Sequence, residues 1–452
     1  MDRHLRGESF LKYRVFFASL GCDKNLVDTE KMMALLDKST FILTEDESEA
    51  DVIVVNTCAF ILDAKQESIE TILELAAMKE DGCCKALVVT GCLAQRYREE
   101  IREEIPEIDA LVGTNAYDQI GDTILEVLKG QSPDVMKEEG YMPSGLLSRV
   151  RSGMGPYRYL KIAEGCDKHC TYCAIPSMRG PYRSVPIEDL VAEAKLLADD
   201  GAAELILVAQ ETTLYGVDLY GEKKLPELIH QLCGIDGIEW IRLMYCYPEE
   251  ITDELLFAMR DEPKVCHYLD LPIQHADDEI LRRMGRRTNQ KQLRDVICRI
   301  REILPDVALR TTLISGFPGE TIAQHETCLD FVKEMRFDRL GVFPYSEEEG
   351  TPAATYPDSV AEEERARRAD AIMKASEAVI FEANQSWIGR EIQVMVEGYL
   401  PENGCYVGRT YRDAPDIDGL IFFESDKEWL TSDTVRVTIT EALGYDLKGD
   451  IG

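Results

Sequence analysis

Three closely spaced cysteines carry the clearest chemical signal in this 452-residue chain. Cys166, Cys170 and Cys173 follow an apolar run that predicts a strand, and their spacing is C-x3-C-x2-C. Three thiolates can bind three irons of a [4Fe–4S] cluster and leave the fourth iron without a protein ligand. An open iron allows a small molecule to bind and receive an electron. We therefore interpret these cysteines as catalytic cluster ligands.

A zinc site is the alternative interpretation of this motif. Structural zinc takes four ligands, usually from paired C-x2-C motifs. His169 offers a fourth ligand, but it lies inside the loop between Cys166 and Cys170. The spacing therefore favours an iron–sulfur cluster.

Three further cysteines each follow a different predicted strand near the start of the chain. Cys22 comes after FFASLG, Cys58 after VIVVNT and Cys92 after ALVVTG. Open α/β sheets bind ligands at the carboxyl ends of their strands, so these thiols could hold a second cluster. A single buried cysteine more often acts as a small apolar residue, but three at equivalent positions favour ligation. The other eight cysteines have no ligand spacing, and we interpret them as core or surface thiols.

The spacing of apolar residues predicts the strands and helices that position these cysteines. Residues 12–129 alternate β-rich runs with helical spacing, which predicts a doubly wound parallel sheet of the α/β class. Residues 130–151 are rich in Gly, Pro and Ser and predict a linker. Residues 152–385 alternate six strands with helices, which predicts a partial (βα)6 barrel. Residues 386–452 contain short alternating strands that predict a small antiparallel β-barrel.

Polar residues at strand ends of the central domain are candidates for binding a small-molecule cofactor. Gln210 and Glu211 follow one predicted strand, while Arg242 and His275 lie near the ends of two others. Each could instead cap a strand or form a buried ion pair. Gln210 and Glu211 are the preferred candidates.

Composition and charge limit the class of partner. The chain has 50 Lys and Arg against 84 Asp and Glu, a net charge of −34, which disfavours phosphate binding and hence nucleic acid. Its 14 cysteines are too few for a disulfide scaffold. The sequence contains no apolar run of membrane-spanning length, and its opening residues lack a secretory signal. We therefore expect a cytoplasmic protein with no membrane partner.

Together these features resemble the methylthiotransferase family of radical S-adenosylmethionine (SAM) enzymes over essentially residues 12–452. The C-x3-C-x2-C loop is the radical SAM signature, and the C-terminal barrel is similar to the family's TRAM domain. The resemblance implies two [4Fe–4S] clusters, one of which binds SAM through its open iron and cleaves it to a 5′-deoxyadenosyl radical. The other, on the N-terminal cysteines, provides or carries the inserted sulfur. Such an enzyme also requires an electron donor and a sulfur donor.

The resemblance adds candidates for SAM binding. The segment ISGFPGE is similar to the family's glycine-containing segment near the SAM adenine, which places Ile314 and Gly316 among the cofactor-binding residues. Tyr172, beside the last cysteine of the loop, either packs on the adenine or belongs to the core.

Two branches of the family differ in substrate. One modifies an adenosine in tRNA, and the other modifies the β-carbon of an aspartate in the twelfth small-subunit ribosomal protein. The segments SLGCDKNLVDTE, CTYCAIPSMRG and GRTYRDAPDIDG resemble the ribosomal-protein branch. Asp23 and Thr29 depart from its commonest residues, Pro and Ser, but are close to them in size. The tRNA branch is the alternative. A non-catalytic iron–sulfur scaffold is more remote, because a scaffold needs no open iron.

The charge of the C-terminal segment also bears on the substrate. Residues 386–452 contain 6 Lys and Arg and 13 Asp and Glu, a difference of −7. Such a module attracts a basic ribosomal protein and repels RNA. We expect its acids to face solvent and to contribute to this attraction, and we expect no direct binding of nucleic acid. The acids in question include Asp413, Asp416, Asp418 and Glu424.

Overall fold

The computed structural model describes residues 12–138, 141–142, 148–153 and 155–451. The opening residues, which underlie the cytoplasmic expectation, lie outside this description. So do positions 139–140 and 143–147 of the predicted linker. Within the described ranges, no helix is long and apolar enough to cross a lipid bilayer.

The chain divides into two compact units. Unit 1 comprises the residues up to Ser152 together with Ala174–Pro181. Unit 2 comprises Gly153–Cys173 and the residues from Tyr182 onward. The domain boundaries given above stay predictions.

Runs of Val, Ile and Leu form the buried strands of unit 1. Its strands are β1 (Tyr13–Ser19), β2 (Phe41–Leu43), β3 (Val52–Thr57), β4 (Ala86–Gly91), β5 (Ala110–Val112) and β6 (Asp134–Val135). Its helices are α1 (Asp23–Leu35), α2 (Leu62–Ala76), α3 (Met78–Asp81), α4 (Cys92–Arg96), α5 (Arg98–Glu104), α6 (Ile120–Leu128) and α7 (Ile175–Arg179).

In the part of unit 1 that is described, the six strands form one parallel sheet of order β2-β1-β3-β4-β5-β6. Strands β3 and β4 are buried along their whole length, as expected for a parallel sheet covered by helices on both faces. The prediction of a parallel sheet is therefore confirmed. The sequence did not reveal β2 and β6, because three and two residues are too few to show a pattern.

Unit 2 contains the second β/α series. Its strands are β7 (Tyr157–Lys161), β8 (Ala163–Glu164), β9 (Arg183–Ser184), β10 (Glu204–Val208), β11 (Trp240–Leu243), β12 (Val265–Asp270), β13 (Ala308–Ser315) and β14 (Arg339–Pro344). Its helices are α8 (Ile187–Asp199), α9 (Val217–Tyr220), α10 (Leu225–Cys233), α11 (Asp253–Asp261), α12 (Asp278–Arg283), α13 (Gln290–Ile303), α14 (Ile322–Met335) and α15 (Glu362–Gln385).

Among the described residues of unit 2, six strands form a parallel sheet of order β7-β10-β11-β12-β13-β14. The edge strands β7 and β14 are not paired with each other, so the sheet is open. This arrangement confirms the predicted partial (βα)6 barrel. Strands β8 and β9 form a separate antiparallel pair beside the cysteine loop.

The C-terminal segment forms a closed barrel of five strands within the described residues. They are β15 (Glu391–Leu400), β16 (Cys405–Thr410), β17 (Ile421–Glu424), β18 (Thr434–Leu443) and β19 (Asp446–Asp450). The predicted barrel is confirmed, although β17 pairs with β19 in parallel and the other pairs are antiparallel. Strand β19, DLKGD, lacks the apolar alternation that marks the others.

Buried ion pairs attach this barrel to one face of the central sheet. Glu204, which begins β10, accepts hydrogen bonds from Arg242 Nε at 2.6 Å and from Arg409 Nη2 at 2.7 Å. All three side chains are almost wholly buried. Burial by itself would raise the pKa of Glu204, but Arg242 and Arg409 outweigh it and lower the pKa below its ordinary value. The carboxylate therefore stays ionised between the sheet and the barrel.

The expectation that the C-terminal acids face solvent is wrong for two of the four. Asp413 is buried and pairs with Arg339 of β14. The Asp418 side chain is 2% exposed and accepts a 2.7 Å hydrogen bond from the Tyr268 hydroxyl. Asp416 is exposed but accepts a hydrogen bond from Tyr157. Asp416 and the 70% exposed Glu424 therefore fit the expectation. Part of the acidic charge of the C-terminal segment thus pairs with arginine side chains of the central sheet.

Removing the Glu204 charge should therefore destabilise the protein. Glu204→Gln leaves Arg242 buried without a counter-charge and leaves Arg409 with Glu397 alone, and the expected cost is about 3–5 kcal/mol. Thermal unfolding measures it. Glu391→Gln is the control, because Glu391 forms an exposed pair with Arg436 at 3.2 Å and should cost less than about 1 kcal/mol. Equal losses in both variants would contradict the anchoring role.

Candidate functional site

Three neighbouring strands of unit 1 bring cysteines to one edge of the sheet. Cys22 is the residue before α1, Cys58 directly follows β3, and Cys92 is the first residue of α4, after β4. Strands β1, β3 and β4 are adjacent, and the strand order reverses between β1 and β3. Sheets of this type bind ligands outside the carboxyl ends of the strands at such a reversal.

Close approach of the chain packs these cysteines together. Gly21 has φ +83°, and a Cβ at this position would lie 2.5 Å from Cys58 Cβ and 2.9 Å from its Sγ. Only glycine meets both requirements. Burial raises the pKa of the Cys58 thiol to about 12, with Cys92 and Cys22 acting in the same direction. Cys58 and Cys92 are buried and Cys22 is half-buried, and the three thiols lie close enough to act on one another.

The C-x3-C-x2-C loop follows β8 in unit 2. The backbone N–H of Lys168 donates to Cys166 Sγ at 3.4 Å, and Cys170 Sγ lies 4.0 Å from the Tyr247 hydroxyl. Burial raises the pKa of Cys166 to about 12, the Lys168 N–H opposes this rise, and Cys170 adds to it. N–H donors to sulfur are among the groups that set the potential of an iron–sulfur cluster.

The alternative of a zinc site receives little support from this loop. His169 is exposed, unlike the buried Cys166 and Cys170 on either side of it. In the described part of the chain, no three His, Cys, Asp or Glu side chains are arranged to hold a single metal ion. A cluster does not require that arrangement, because three different irons each bind one of the three thiolates.

Gln210 and Glu211 lie just beyond β10, and Gln210 contacts a buried ion pair between Lys161 and Glu164. Lys161 at the end of β7 donates to Glu164 Oε2 at 2.7 Å, and Gln210 Nε2 donates to Glu164 Oε1 at 2.9 Å. Among the described residues, Gln210 Oε1 and Glu211 Oε2 are buried atoms without a hydrogen-bond partner. Such atoms are costly unless a ligand satisfies them.

Glu211 is a buried carboxyl with a raised pKa. Its side chain is fully buried, Oε1 accepts a 3.0 Å hydrogen bond from the Thr213 N–H, and Oε2 lies 4.0 Å from Lys168 Nζ. Burial raises the pKa of Glu211 to about 8, although Thr213 and Lys168 act against the rise. A perturbed carboxyl with an unsatisfied oxygen is typical of a binding site.

The other predicted cofactor residues lie at the end of β13. Ile314 and Tyr172 pack against the same buried apolar cluster, which includes Phe317 and Tyr345. Tyr172 is thus at least partly a core residue. Gly316 has φ +74°, and a Cβ there would collide with the Arg365 side chain, so close packing against α15 is one reason for glycine at this position.

Arg242 and His275 have structural partners. Arg242 belongs to the ion pairs beneath the C-terminal barrel, as described above. His275 Nδ1 accepts a 3.0 Å hydrogen bond from the Asp277 N–H, and its Nε2 lies 3.7 Å from Glu320. Glu320 also accepts hydrogen bonds from the backbone of Gly316 and Phe317. His275 therefore belongs to a network that fixes the turn after β13.

Some residues at this edge of the sheet were not among the predicted site residues. Lys161 and Glu164 precede the cysteine motif, and the charged residues of the otherwise apolar segment KIAEGC were the available signal. Tyr245 and Gln274, just beyond β11 and β12, adopt φ +58° and +71°. Backbone strain of this kind concentrates at functional sites. The residue types do not predict a positive φ at these two positions, because neither residue is glycine.

Comparison with known proteins identifies the family. Models of an uncharacterized protein family, UPF0004, of the radical SAM superfamily and of the TRAM domain match residues 14–113, 160–332 and 388–451. The ribosomal protein uS12 methylthiotransferase RimO of Lachnoclostridium phytofermentans is 57% identical over 436 residues, covering 96% of this chain and 99% of that protein. The chain belongs to the RimO family. The RimO of Geobacter sulfurreducens is 50% identical and covers 97% of this chain and 99% of its own length.

Solved structures share the fold. The radical SAM methyltransferase TsrM of Kitasatospora setae, with cobalamin and a [4Fe–4S] cluster bound, has a TM-score of 0.55 at 13% identity and covers 76% of this chain and 77% of its own. The cobalamin-dependent radical SAM enzyme OxsB, with SAM bound, has a TM-score of 0.51 at 14% identity and covers 82% and 58%.

These relatives confirm the predicted methylthiotransferase family and its ribosomal-protein branch. As a radical SAM enzyme of the RimO family, the chain uses an iron–sulfur cluster and SAM. The individual cluster and SAM ligands named above stay predictions.

Proposed function

We propose that this chain transfers a methylthio group to the β-carbon of an aspartate in the small-subunit ribosomal protein uS12. The observation that carries the proposal is the match to RimO proteins along nearly the whole chain, at 57% identity in the first relative above. Cys22, Cys58 and Cys92 lie together in unit 1, and Cys166, Cys170 and Cys173 share one loop in unit 2. Both proposed ligand sets thus have a structural basis.

The residues present in unit 2 fit the cofactors of a radical SAM enzyme. Cys166, Cys170 and Cys173 would hold a [4Fe–4S] cluster with one open iron. The unsatisfied oxygens of Gln210 and Glu211 suit the ammonium group of SAM, and Ile314 and Gly316 would contact its adenine. When bound, cluster and SAM supply one-electron cleavage of SAM and removal of a hydrogen atom from an unactivated C–H bond.

The chain contributes position and electrostatics to this chemistry. Lys168 is 6% exposed, pairs with Glu250 at 2.5 Å and presents its backbone N–H to Cys166. Lys161 and Glu164 hold Gln210 in place from the end of β7. Burial raises the pKa of the Glu211 carboxyl to about 8, so this group takes up a proton more readily than an exposed glutamate does.

The proposed enzyme also requires a second cluster, an electron donor and a sulfur donor. Cys22, Cys58 and Cys92 would hold an auxiliary [4Fe–4S] cluster that provides or carries the sulfur. An electron donor reduces the radical site, and a sulfur donor replenishes the auxiliary site. Exposed acids of the C-terminal barrel such as Glu424 attract the basic substrate protein, while Asp413 and Asp418 do not contribute.

Mass spectrometry of a strain that lacks this gene tests the substrate. Intact ribosomal proteins and hydrolysed tRNA are analysed from the deletion strain and from the same strain complemented with the gene. We expect uS12 to lose its methylthio group in the deletion strain and regain it on complementation. Loss of a methylthio group from tRNA alone would assign the chain to the tRNA branch.

Glu211 provides a test of the SAM site in which stability and binding move in opposite directions. Its pKa is about 8 in the folded protein against an ordinary value of 4.5, so the folded state retains a proton that the unfolded state has lost. Stability therefore falls as the pH rises from about 4.5 to about 8. Glu211→Gln should unfold at a higher temperature than the wild type at about pH 9, with a smaller difference at about pH 5.

The same variant should bind SAM about tenfold or more weakly, because a charge-assisted hydrogen bond contributes about 1.5–3 kcal/mol. Isothermal titration measures the binding and calorimetry the unfolding temperature, both in reduced protein with its iron intact. Glu250→Gln is the control. Glu250 binds Lys168 and Lys223 without an unsatisfied oxygen among the described residues, so its loss should lower stability. A Glu211→Gln protein that unfolds more easily and binds SAM normally would show that Glu211 is structural.

A further inference from the structure

A buried arginine of unit 1 is linked by hydrogen bonds to the loops that contain Cys22 and Cys58. Arg179 is the last residue of α7 and its side chain is 3% exposed. In the sequence it follows the C-x3-C-x2-C motif, yet α7 belongs to unit 1. The Thr114 hydroxyl fixes the helix by donating to the Met178 carbonyl at 2.6 Å, and Met178 packs in the core of unit 1.

The guanidinium of Arg179 makes two polar contacts with α1. It donates to Asp28 Oδ2 at 2.7 Å and to Asn25 Oδ1. Asn25 is completely buried. Because Arg179 occupies the carbonyl oxygen of the Asn25 amide, the NH2 group of that amide is left to donate elsewhere.

The Asn25 amide joins two cysteine loops. Its Nδ2 donates to the Leu20 carbonyl and to the Thr57 carbonyl, both at 2.9 Å. Leu20 lies two residues before Cys22, and Thr57 lies immediately before Cys58. A single side chain, oriented by Arg179, thus ties together the backbone that presents two of the three thiols.

The positive charge of Arg179 also lies close to the Cys58 loop. Arg179 donates to Asn25, and Asn25 in turn donates to the carbonyl immediately before Cys58, so one amide side chain separates the guanidinium from this cysteine loop. A cluster with three thiolate ligands carries negative charge, which increases on reduction. Net charge and hydrogen bonding near such a cluster set its potential, and supporting residues orient its ligands.

We propose that Arg179 is a positioning residue for the auxiliary cluster, which holds the Cys22 and Cys58 loops in register through Asn25 and raises the reduction potential of the cluster. This inference rests on the proposed function, since it requires a cluster on Cys22, Cys58 and Cys92. It assigns a role in unit 1 to a residue that the sequence places with the radical SAM motif.

The full-length protein with Cys166, Cys170 and Cys173 replaced by alanine allows the test, because only the auxiliary cluster then remains. Redox titration followed by electron paramagnetic resonance gives its potential, and the rate of iron loss to a chelator gives its retention. Arg179→Met should shift the potential to more negative values and speed iron loss about tenfold or more. Arg179→Lys keeps the charge and should shift the potential less.

Asp28→Asn separates electrostatics from damage to the packing. It removes the negative charge beside Arg179 and should shift the potential to more positive values, whereas general damage would move both variants in one direction. Arg102→Met is the control, because Arg102 binds Asp134 and the Ile108 carbonyl away from these loops. The inference is wrong if Arg179→Met and Arg102→Met match in potential and iron loss. An iron-free triple-alanine protein would instead overturn the auxiliary cluster itself.

Discussion

Replacing Cys166, Cys170 and Cys173 together by alanine is expected to abolish SAM cleavage completely. These residues would hold the cluster that binds SAM. Their loop contains no other cysteine that could replace them as a ligand. The wild type should contain about eight irons per chain after anaerobic reconstitution and the variant about four. Liquid chromatography of 5′-deoxyadenosine measures cleavage, and iron analysis measures cluster content.

A buried cysteine outside the proposed sites gives the matched control. Cys328 in α14 is 1% exposed, and burial raises its pKa to about 12, as it does for Cys166. Cys328→Ala should keep the wild-type iron content and cleavage rate. Full cleavage by the triple variant would show that the radical site lies elsewhere.

Replacing Cys22, Cys58 and Cys92 by alanine should have an equally large effect on a different step. Without the proposed auxiliary cluster the protein would lose the site assigned to the inserted sulfur, so methylthio insertion into uS12 should fall to zero. Cleavage of SAM depends on residues of unit 2 and should survive at a measurable level. Mass spectrometry of uS12 and quantification of 5′-deoxyadenosine in one reaction separate the two steps.

Cys84 provides the comparison for this second variant. It is a buried cysteine of unit 1, and its thiol donates to the Ala86 carbonyl at 3.4 Å. Cys84→Ala should support insertion at the wild-type rate. If the triple variant inserted the methylthio group at that rate too, the three thiols would be structural.

Local patterns were sufficient to predict most of the fold. The central sheet contains six strands, as apolar runs such as ELILV predicted, although β12 ends before the predicted run does. The placement of Cys22, Cys58 and Cys92 at one edge also followed, because the carboxyl ends of parallel strands lie at the same edge of a sheet. Strands of two or three residues, such as β6, show no periodicity and were missed.

Long-range charge pairing was not predictable. The sequence gives the number of acids in the C-terminal barrel but not that Asp413 meets Arg339, 74 residues earlier. Arg242 looked like a ligand at a strand end, yet its partner is Glu204 on the adjacent strand. For the same reason the sequence did not indicate that Arg179 reaches back to Asp28. Spacing along the chain contains no information about such pairs.

The membership of Ala174–Pro181 in unit 1 has a consequence for recombination between genes. A crossover after Ser152 would combine one parent's α1 and β3 with the other parent's α7, although all three belong to the same unit. An N-terminal segment without a carboxylate at position 28 would then enclose Arg179 without this counter-charge, at a cost of about 3–5 kcal/mol. Functional chimeras of related enzymes should therefore inherit Asn25, Asp28 and Arg179 as a set, even though about 150 positions separate them in the gene.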